Sequence, residues 1–364
     1  MSIRSLAARI WAYVPTLLLG AAGGFVFAWF KLPLPWMLGP LAVGLVGSFA
    51  GLSLRGPKQI AAPMRTVLGV LLGASFTPAM AAQAVDLAAS LVLLIPYIAL
   101  SAALGIVYLK TIAGYDTATA YFAAMPGGLN DMVLFAEEQG ADHRKVSLMH
   151  GTRILLIVFF VPFYIQLSSH VVIDRSVAGW VGLADLSWGE VALLLGCAIL
   201  GFPLGRLLRL PGAALMGPML LSAILHISGL SGAKPPDLLV ILAQITLGTL
   251  IGARYAGVPR REIVHTIVLS VGLVVILLAV TFLFTWLVPI LLGYSRTGVL
   301  LAFSPGGLAE TSLIALALGV EVAYVACHHV CRVVMVIAFA PVVFRLTAGR
   351  SRTVAPFHRP DPDD

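Results

Sequence analysis

Twice, in the middle of oily sequence, this chain interrupts itself with Pro-Gly-Gly-Leu followed by an acid. Pro126-Gly127-Gly128-Leu129-Asn130-Asp131 returns 179 residues later as Pro305-Gly306-Gly307-Leu308-Ala309-Glu310. The same offset carries His150-Gly151-Thr152-Arg153 onto His329-Val330-Cys331-Arg332, and Pro162 onto Pro341. Proline has no N–H to donate and glycine loosens a helix, so each box divides an apolar helix into two short pieces. In lipid, the broken backbone leaves N–H and C=O groups that cost several kcal/mol each unless protein or a water-filled cavity meets them. The chain therefore has to turn both boxes toward its own interior.

Composition fixes the solvent. Hydrophobic residues make up 60% of the 364 residues, charged residues 11%, and mean hydropathy is +1.00. A soluble domain carries roughly 25% charged residues. The length supplies about 10 to 12 crossings at roughly 20 residues each, with little left for an extramembrane domain. Cys197, Cys327 and Cys331 all lie in apolar stretches, which argues against a disulfide framework. The net charge of +7 is scattered over short loops, so it reads as a topology signal rather than a nucleic-acid surface. Met1–Trp11, with Arg4 and Arg9, leads into a run closed by Lys31, Pro33 and Pro35, not by a cleavage site. That run is expected to be a retained first span.

Each half contains six apolar elements. In the first they lie near 12–30, 34–53, 64–80, 87–109, 116–138 and 145–168; in the second near 188–208, 212–231, 238–256, 263–292, 296–318 and 323–346. Leu38-Gly39-Pro40 matches Met216-Gly217-Pro218, and the Gly69-xxx-Gly73 run matches Gly248-xxx-Gly252. The expected organisation is a first transmembrane repeat over 1–170, a linker over 171–187, a second repeat over 188–346 and a disordered cytoplasmic tail over 347–364.

Orientation turns on the fifth element. If it crosses, the repeats are parallel; if it dips in and returns, each half has about five crossings and the repeats are inverted. The second arrangement leaves only Lys31, Arg175, Lys234 and Arg296 of the loop cations outside, with Arg153, Arg254 and Arg332 set aside as intramembrane. The positive-inside rule favours it. The expected fold is thus an all-α polytopic membrane protein of two inverted repeats, with two broken or re-entrant helices and both termini in the cytoplasm.

The candidate chemistry sits at the breaks. Amide groups after Pro126-Gly127-Gly128 and Pro305-Gly306-Gly307 form helix N-termini with partial positive charge, suited to an anionic group. Asp131 and Glu310 occupy equivalent first-turn positions. An ionised acid at mid-membrane costs at least about 2.5–3.5 kcal/mol, so such residues pair or carry ions; satisfaction by the helix start is the plainer reading. Asn130, Thr311 and Ser312 can add neutral ligands. Arg153 and Arg332 are natural counter-charges for the acids, or hooks for a substrate carboxylate. His150 and His329, three residues earlier on the same face, can relay protons or serve as plain hydrogen-bond partners. Cys327, His328 and Cys331 suggest a soft metal site, but the first half has Leu148 and Thr152 at the cysteine positions and no further ligand cluster, so no metal or cofactor is expected.

The doubled Pro-Gly-Gly-Leu box with its acid, the Leu-Gly-Pro and Met-Gly-Pro elements and the His-x-x-Arg helix resemble the bacterial AbrB-type membrane proteins. The resemblance covers roughly residues 12 to 346. Those proteins are also labelled regulators, which implies an influence on gene expression, or ammonia monooxygenases, which implies a metal centre. The broken-helix repeats are similar in architecture to inverted-repeat secondary carriers, an analogy that sets no substrate. The expectation is a secondary transporter of the bacterial inner membrane, not an enzyme. It moves a small solute, an organic anion by slight preference, coupled to H⁺ or Na⁺ through Asp131 and Glu310. A membrane-embedded regulator is the alternative, and a metalloenzyme the more distant one. The expected partners are the substrate and the lipid bilayer, with room left for a homodimer.

Overall fold

A computed structural model describes residues 13–81, 84–169 and 180–347. The leading segment Met1–Trp11, most of the expected linker with Arg175, and the tail from Ala348 lie outside the described residues. Among the described residues the structure is helical throughout.

In the first half, α1 (Val14–Trp29), α2 (Pro35–Phe49) and α3 (Lys58–Gly73) precede α4 (Ala84–Val92) and α5 (Leu94–Thr111), which run on as one span. Then come the half-helices α6 (Thr117–Ala124) and α7 (Leu129–Glu138), and the long α8 (His143–Ser169). The second half gives α9 (Trp188–Leu207), α10 (Ala213–Ile227), α11 (Asp237–Gly252) and α12 (Arg260–Leu292). The half-helices α13 (Arg296–Phe303) and α14 (Leu308–Leu318) precede α15 (Val322–Thr347). Among the described residues six helices are long and apolar enough to cross a membrane by length and composition, so this is a polytopic membrane protein.

One boundary differs from the sequence expectation in a way that matters below. The third element starts at Lys58, not near residue 64, because Pro57 caps the helix and the chain winds on through Pro63 in its second turn. A proline that early forfeits a single backbone bond. Arg65, expected at the helix edge, therefore stands two turns inside it.

The fifth element of each half dips in and returns. Thr119 Oγ1, in the first turn of α6, accepts from the Asp142 backbone N–H just before α8 (2.9 Å), and Lys145 lies over the Tyr115 ring. In the second half, the Ser295 hydroxyl that caps α13 donates to Glu321 Oε2 at the start of α15 (3.0 Å). Each hairpin thus begins and ends on one face. Its arms are 8 and 10 residues in the first half, 8 and 11 in the second, about 12 to 17 Å of helix and so about half a bilayer core.

The helices pack as two units, each drawing on both halves. In one, α3 lies against α10 and α11 against α2, with α1 on α2 and α9 on α10 outside them. In the other, both hairpins pack among α5, α8, α12 and α15. Glycine sets the crossings of the first unit. A Cβ on Gly69 would run into the Leu215 carbonyl and stand 3.2 Å from Pro218 Cβ; on Gly248 it would run into the Met37 carbonyl and stand 3.2 Å from Pro40 Cβ. One turn on, a Cβ added to Gly73 would run into the Met219 carbonyl and one added to Gly252 into the Leu41 carbonyl. The contacts are reciprocal because the sequence is. Both α2 and α10 also follow a left-handed residue, Leu34 (φ 44) and Gly212 (φ 58).

These crossings leave no room for a methyl group, and overpacking a tight site costs about 1–3 kcal/mol. Gly69→Ala and Gly248→Ala are each expected to lower the unfolding midpoint of the purified protein in detergent. Gly189→Ala, where an added Cβ has no neighbour within 4 Å, should melt no lower than the parent. Equal midpoints for all three would mean the helices do not approach this closely.

Candidate functional site

Proline dictates the shape of each break. The residue before a proline is pushed out of the helical region toward extended backbone, and Met125 (φ −58, ψ 131) and Ser304 (φ −58, ψ 139) obey. Gly128 (ψ 134) and Gly307 (ψ 151) stay extended, and the second half-helix starts after them. The chain passes the tip of each hairpin as a short extended stretch with its carbonyls stripped of helix partners.

The His-x-x-Arg motif meets those carbonyls. His150 Nε2 donates to the Phe122 carbonyl (2.8 Å) and Arg153 Nη1 to the Met125 carbonyl (2.9 Å). In the other half His329 Nε2 donates to the Leu301 carbonyl (2.9 Å) and Arg332 Nη1 to the Ser304 carbonyl (2.5 Å). Arg332 Nη2 reaches the Gly306 carbonyl as well, at 2.9 Å. In both halves the arginine also donates to His Nδ1, at 3.1 Å from Arg153 and 2.9 Å from Arg332. An imidazole that gives its Nε2 proton to a carbonyl and accepts at Nδ1 is neutral, with its tautomer fixed by these partners. Thr311 braces the second clamp, its hydroxyl lying 2.8 Å from His329 Nε2 and 2.7 Å from the Gly307 carbonyl.

The expected ion pairs between the arginines and the acids are not made. Among the described residues the ion pairs are Arg144–Glu262 and Lys145–Asp142, both near the surface. The guanidinium groups go to the stripped carbonyls of Met125, Ser304 and Gly306. Asp131 and Glu310 instead fold back over their own helix starts; a side chain on Gly128 or Gly307 would collide with the carboxylate of Asp131 or Glu310 respectively.

A cavity of about 380 Å³ lies between the two packing units. Gly127, Gly128, Asn130 and Asp131 from one tip and Gly306, Gly307 and Glu310 from the other line it, together with Arg153 and Arg332. Pro126, Pro305, Thr311, His150 and His329 stand outside this lining; the two histidines are fully buried at the clamps. The opposite wall comes from α3, α9, α10 and α11, and contributes Phe202, Leu215, Leu247 and Leu250. It also contributes two cations that the sequence left among the loop charges or set aside, Arg65 and Arg254. The Arg254 guanidinium rests against Gly151, and both arginines are close enough to Glu310 to act on it electrostatically.

His328 is engaged elsewhere, with Ser90 Oγ at 2.9 Å and the Tyr324 carbonyl at 2.9 Å. No three His, Cys, Asp or Glu side chains gather in a metal-binding group among the described residues.

Residues 36–348 match the family model described as "Transition state regulatory protein AbrB". The chain belongs to the AbrB family. Two curated relatives extend over most of this AbrB-family chain. It is 30% identical over 358 residues to "Uncharacterized protein YhjN" of Bacillus subtilis, covering 90% of this chain and 91% of that one. It is 24% identical over 328 residues to "Putative regulator AbrB" of Escherichia coli, covering 86% and 90%.

The clamp makes a graded prediction. Each buried carbonyl left without a donor costs about 1–3 kcal/mol. Arg153→Ala strips one such carbonyl, Arg332→Ala strips two, so the second variant should be the less stable in denaturant unfolding of the detergent-purified protein. Wild-type stability in both would mean the tips do not depend on these arginines.

Proposed function

We propose that this AbrB-family protein is a secondary transporter of the bacterial inner membrane. It carries a small solute, preferably an organic anion, and couples its passage to H⁺ or Na⁺. The observation that carries this reading is that both helix breaks and both acids face one cavity. Broken helices that line a cavity between two homologous repeats are the recurring layout of secondary carriers.

Asp131 and Glu310 are the coupling groups in this reading. They lie in first helical turns, are partly open to the cavity, and make no ion pair among the described residues. Binding a proton or a cation relieves the cost of a carboxylate at this depth. The arginine excess in the cavity accounts for the preference for an anion. Hairpins that enter and leave on one face give each half an odd number of crossings, so the second repeat runs inverted to the first. The loop cations then put residues 140–145 and both termini in the cytoplasm.

The printed names of the family and of the E. coli relative favour a second reading, a membrane-embedded regulator that binds a ligand in the same cavity and signals through a partner. Reconstitution separates the two, because a carrier moves solute in lipid vesicles with no other protein present.

Two outcomes are expected. Asp131→Asn and Glu310→Gln should each cut gradient-driven uptake in proteoliposomes at least about tenfold, the loss expected when an effect worth about 1.4 kcal/mol is removed, while the protein still inserts. Normal uptake by both variants would make the acids structural. A single cysteine at position 143, in a background without Cys197, Cys327 and Cys331, should resist impermeant thiol reagents in intact cells and react in inverted vesicles. The opposite pattern reverses the orientation.

A further inference from the structure

The charges around the cavity do not balance. Four guanidinium groups line it, those of Arg65, Arg153, Arg254 and Arg332, against the carboxylates of Asp131 and Glu310. None of the four forms an ion pair among the described residues.

The two pairs of arginines differ in depth and origin. Arg153 and Arg332 are each 2% exposed, and the Nε–H of each is buried with no hydrogen-bond partner. The Nη nitrogens of both make the clamp bonds, and the Nε–H groups take no part in them. The two side chains are near enough for their charges to act on each other. A buried donor left without a partner is costly, and more so when it carries charge. Arg65 is half-exposed and Arg254 exposed, so they stand nearer the mouth, on the opposite wall. Neither has a counterpart in the other repeat: Gln244 stands at the position equivalent to Arg65, and Ser75 at that equivalent to Arg254. The same lining includes an apolar set, Leu215, Leu247, Leu250 and Ile251.

We propose that the cavity binds a small linear dicarboxylate. One carboxylate sits deep between Arg153 and Arg332, accepting from the two free Nε–H groups. The other sits nearer the mouth with Arg65 and Arg254, and the hydrocarbon between them lies along the leucine wall. Two separated cation pairs call for two separated anionic groups, which a chloride or a sulfate does not have. The volume of about 380 Å³ suits a small organic molecule. The substrate would thus bridge the two packing units, since the deep pair belongs to the hairpin unit and the mouth pair to the glycine-crossed unit. The assignment rests on the carrier reading only in taking this cavity as the substrate site.

The test is direct binding to the full chain purified in detergent, by calorimetry and thermal shift. The probes are succinate, glutarate and adipate, with butyrate as the monoacid and glutaramide as the uncharged analogue. At least one diacid should bind about tenfold or more tighter than butyrate, since a charge-assisted contact is worth that much, and glutaramide should not bind. Arg65→Gln and Arg254→Ser, which install the residue the other repeat already uses, should each weaken the diacid about tenfold. They should leave butyrate affinity unchanged, because butyrate needs only the deep pair. Butyrate binding as tightly as the diacids, variants that weaken both ligands alike, or no binding by any of the three diacids would overturn the assignment. Proteoliposomes separate this from the carrier reading. Diacids that bind but are never moved leave the site standing and remove the carrier. Uptake of another solute that diacids neither bind against nor compete with keeps the carrier and removes this inference.

Discussion

A backbone carbonyl that loses its helix partner inside a membrane must be met by another donor, and here one helix per half supplies the donors. His150 and Arg153 on α8, and His329 and Arg332 on α15, reach across to the ends of the half-helices α6 and α13. The spacing of three puts imidazole and guanidinium on one helix face, so a single rigid element holds two points of each broken helix. Without that clamp the tips would have to draw water or refold, because lipid offers no hydrogen bonds. Everything else about the site follows from where the clamps fix the tips: the direction of α7 and α14, the acids in their first turns, and the cavity both tips face.

The clamps also fix the electrostatics. A guanidinium has five N–H donors and a permanent charge. Spending two of them, as Arg153 does, or three, as Arg332 does, on backbone and imidazole satisfies geometry but neutralises nothing, so each clamp buries a positive charge with no ion pair among the described residues. The field falls on the cavity, where Arg65 and Arg254 add to it. A wall of close glycine crossings faces the tips, with helices near enough for backbone to touch side-chain Cβ atoms. Such crossings resist deformation, because any separation forfeits contacts on both sides.

The duplication was legible because proline, glycine and charge in a fixed order are improbable within apolar sequence. From it followed the breaks and the acids at equivalent positions; the helical class followed from composition, and the loop cations favoured a dip-and-return fifth element without settling it. The partners of the arginines were not legible. Sequence brings Arg153 and Asp131 into one neighbourhood, but which of carbonyl and carboxylate claims the guanidinium depends on distances of an ångström or two. Arg65 was missed for a simpler reason. With the helix expected to start near residue 64 it read as a loop charge, whereas starting at Lys58 carries it two turns inward. Arg254 was recognised as intramembrane, but it sits in a 3-10 turn just past α11, and nothing local tells which cavity that turn faces. Thr311 was expected to line the pocket; its hydroxyl is taken by the clamp.

Repeat symmetry separates two kinds of work. Residues that occur in both halves at equivalent positions do what the architecture needs twice: break a helix, hold the break, start the next half-helix with an acid. In the proposed carrier a small solute has no reason to share that symmetry, so residues that would recognise it are free to depart from it. Arg65 and Arg254 are charged departures that line the cavity, and both belong to the glycine-crossed unit rather than to the hairpin unit. If the hairpin unit moves against that wall, the clamps and acids travel together while the two unmatched arginines stay behind. A ligand spanning both units would then feel the motion through its own contacts, and differential contact between states is what allows a ligand to shift a conformational equilibrium.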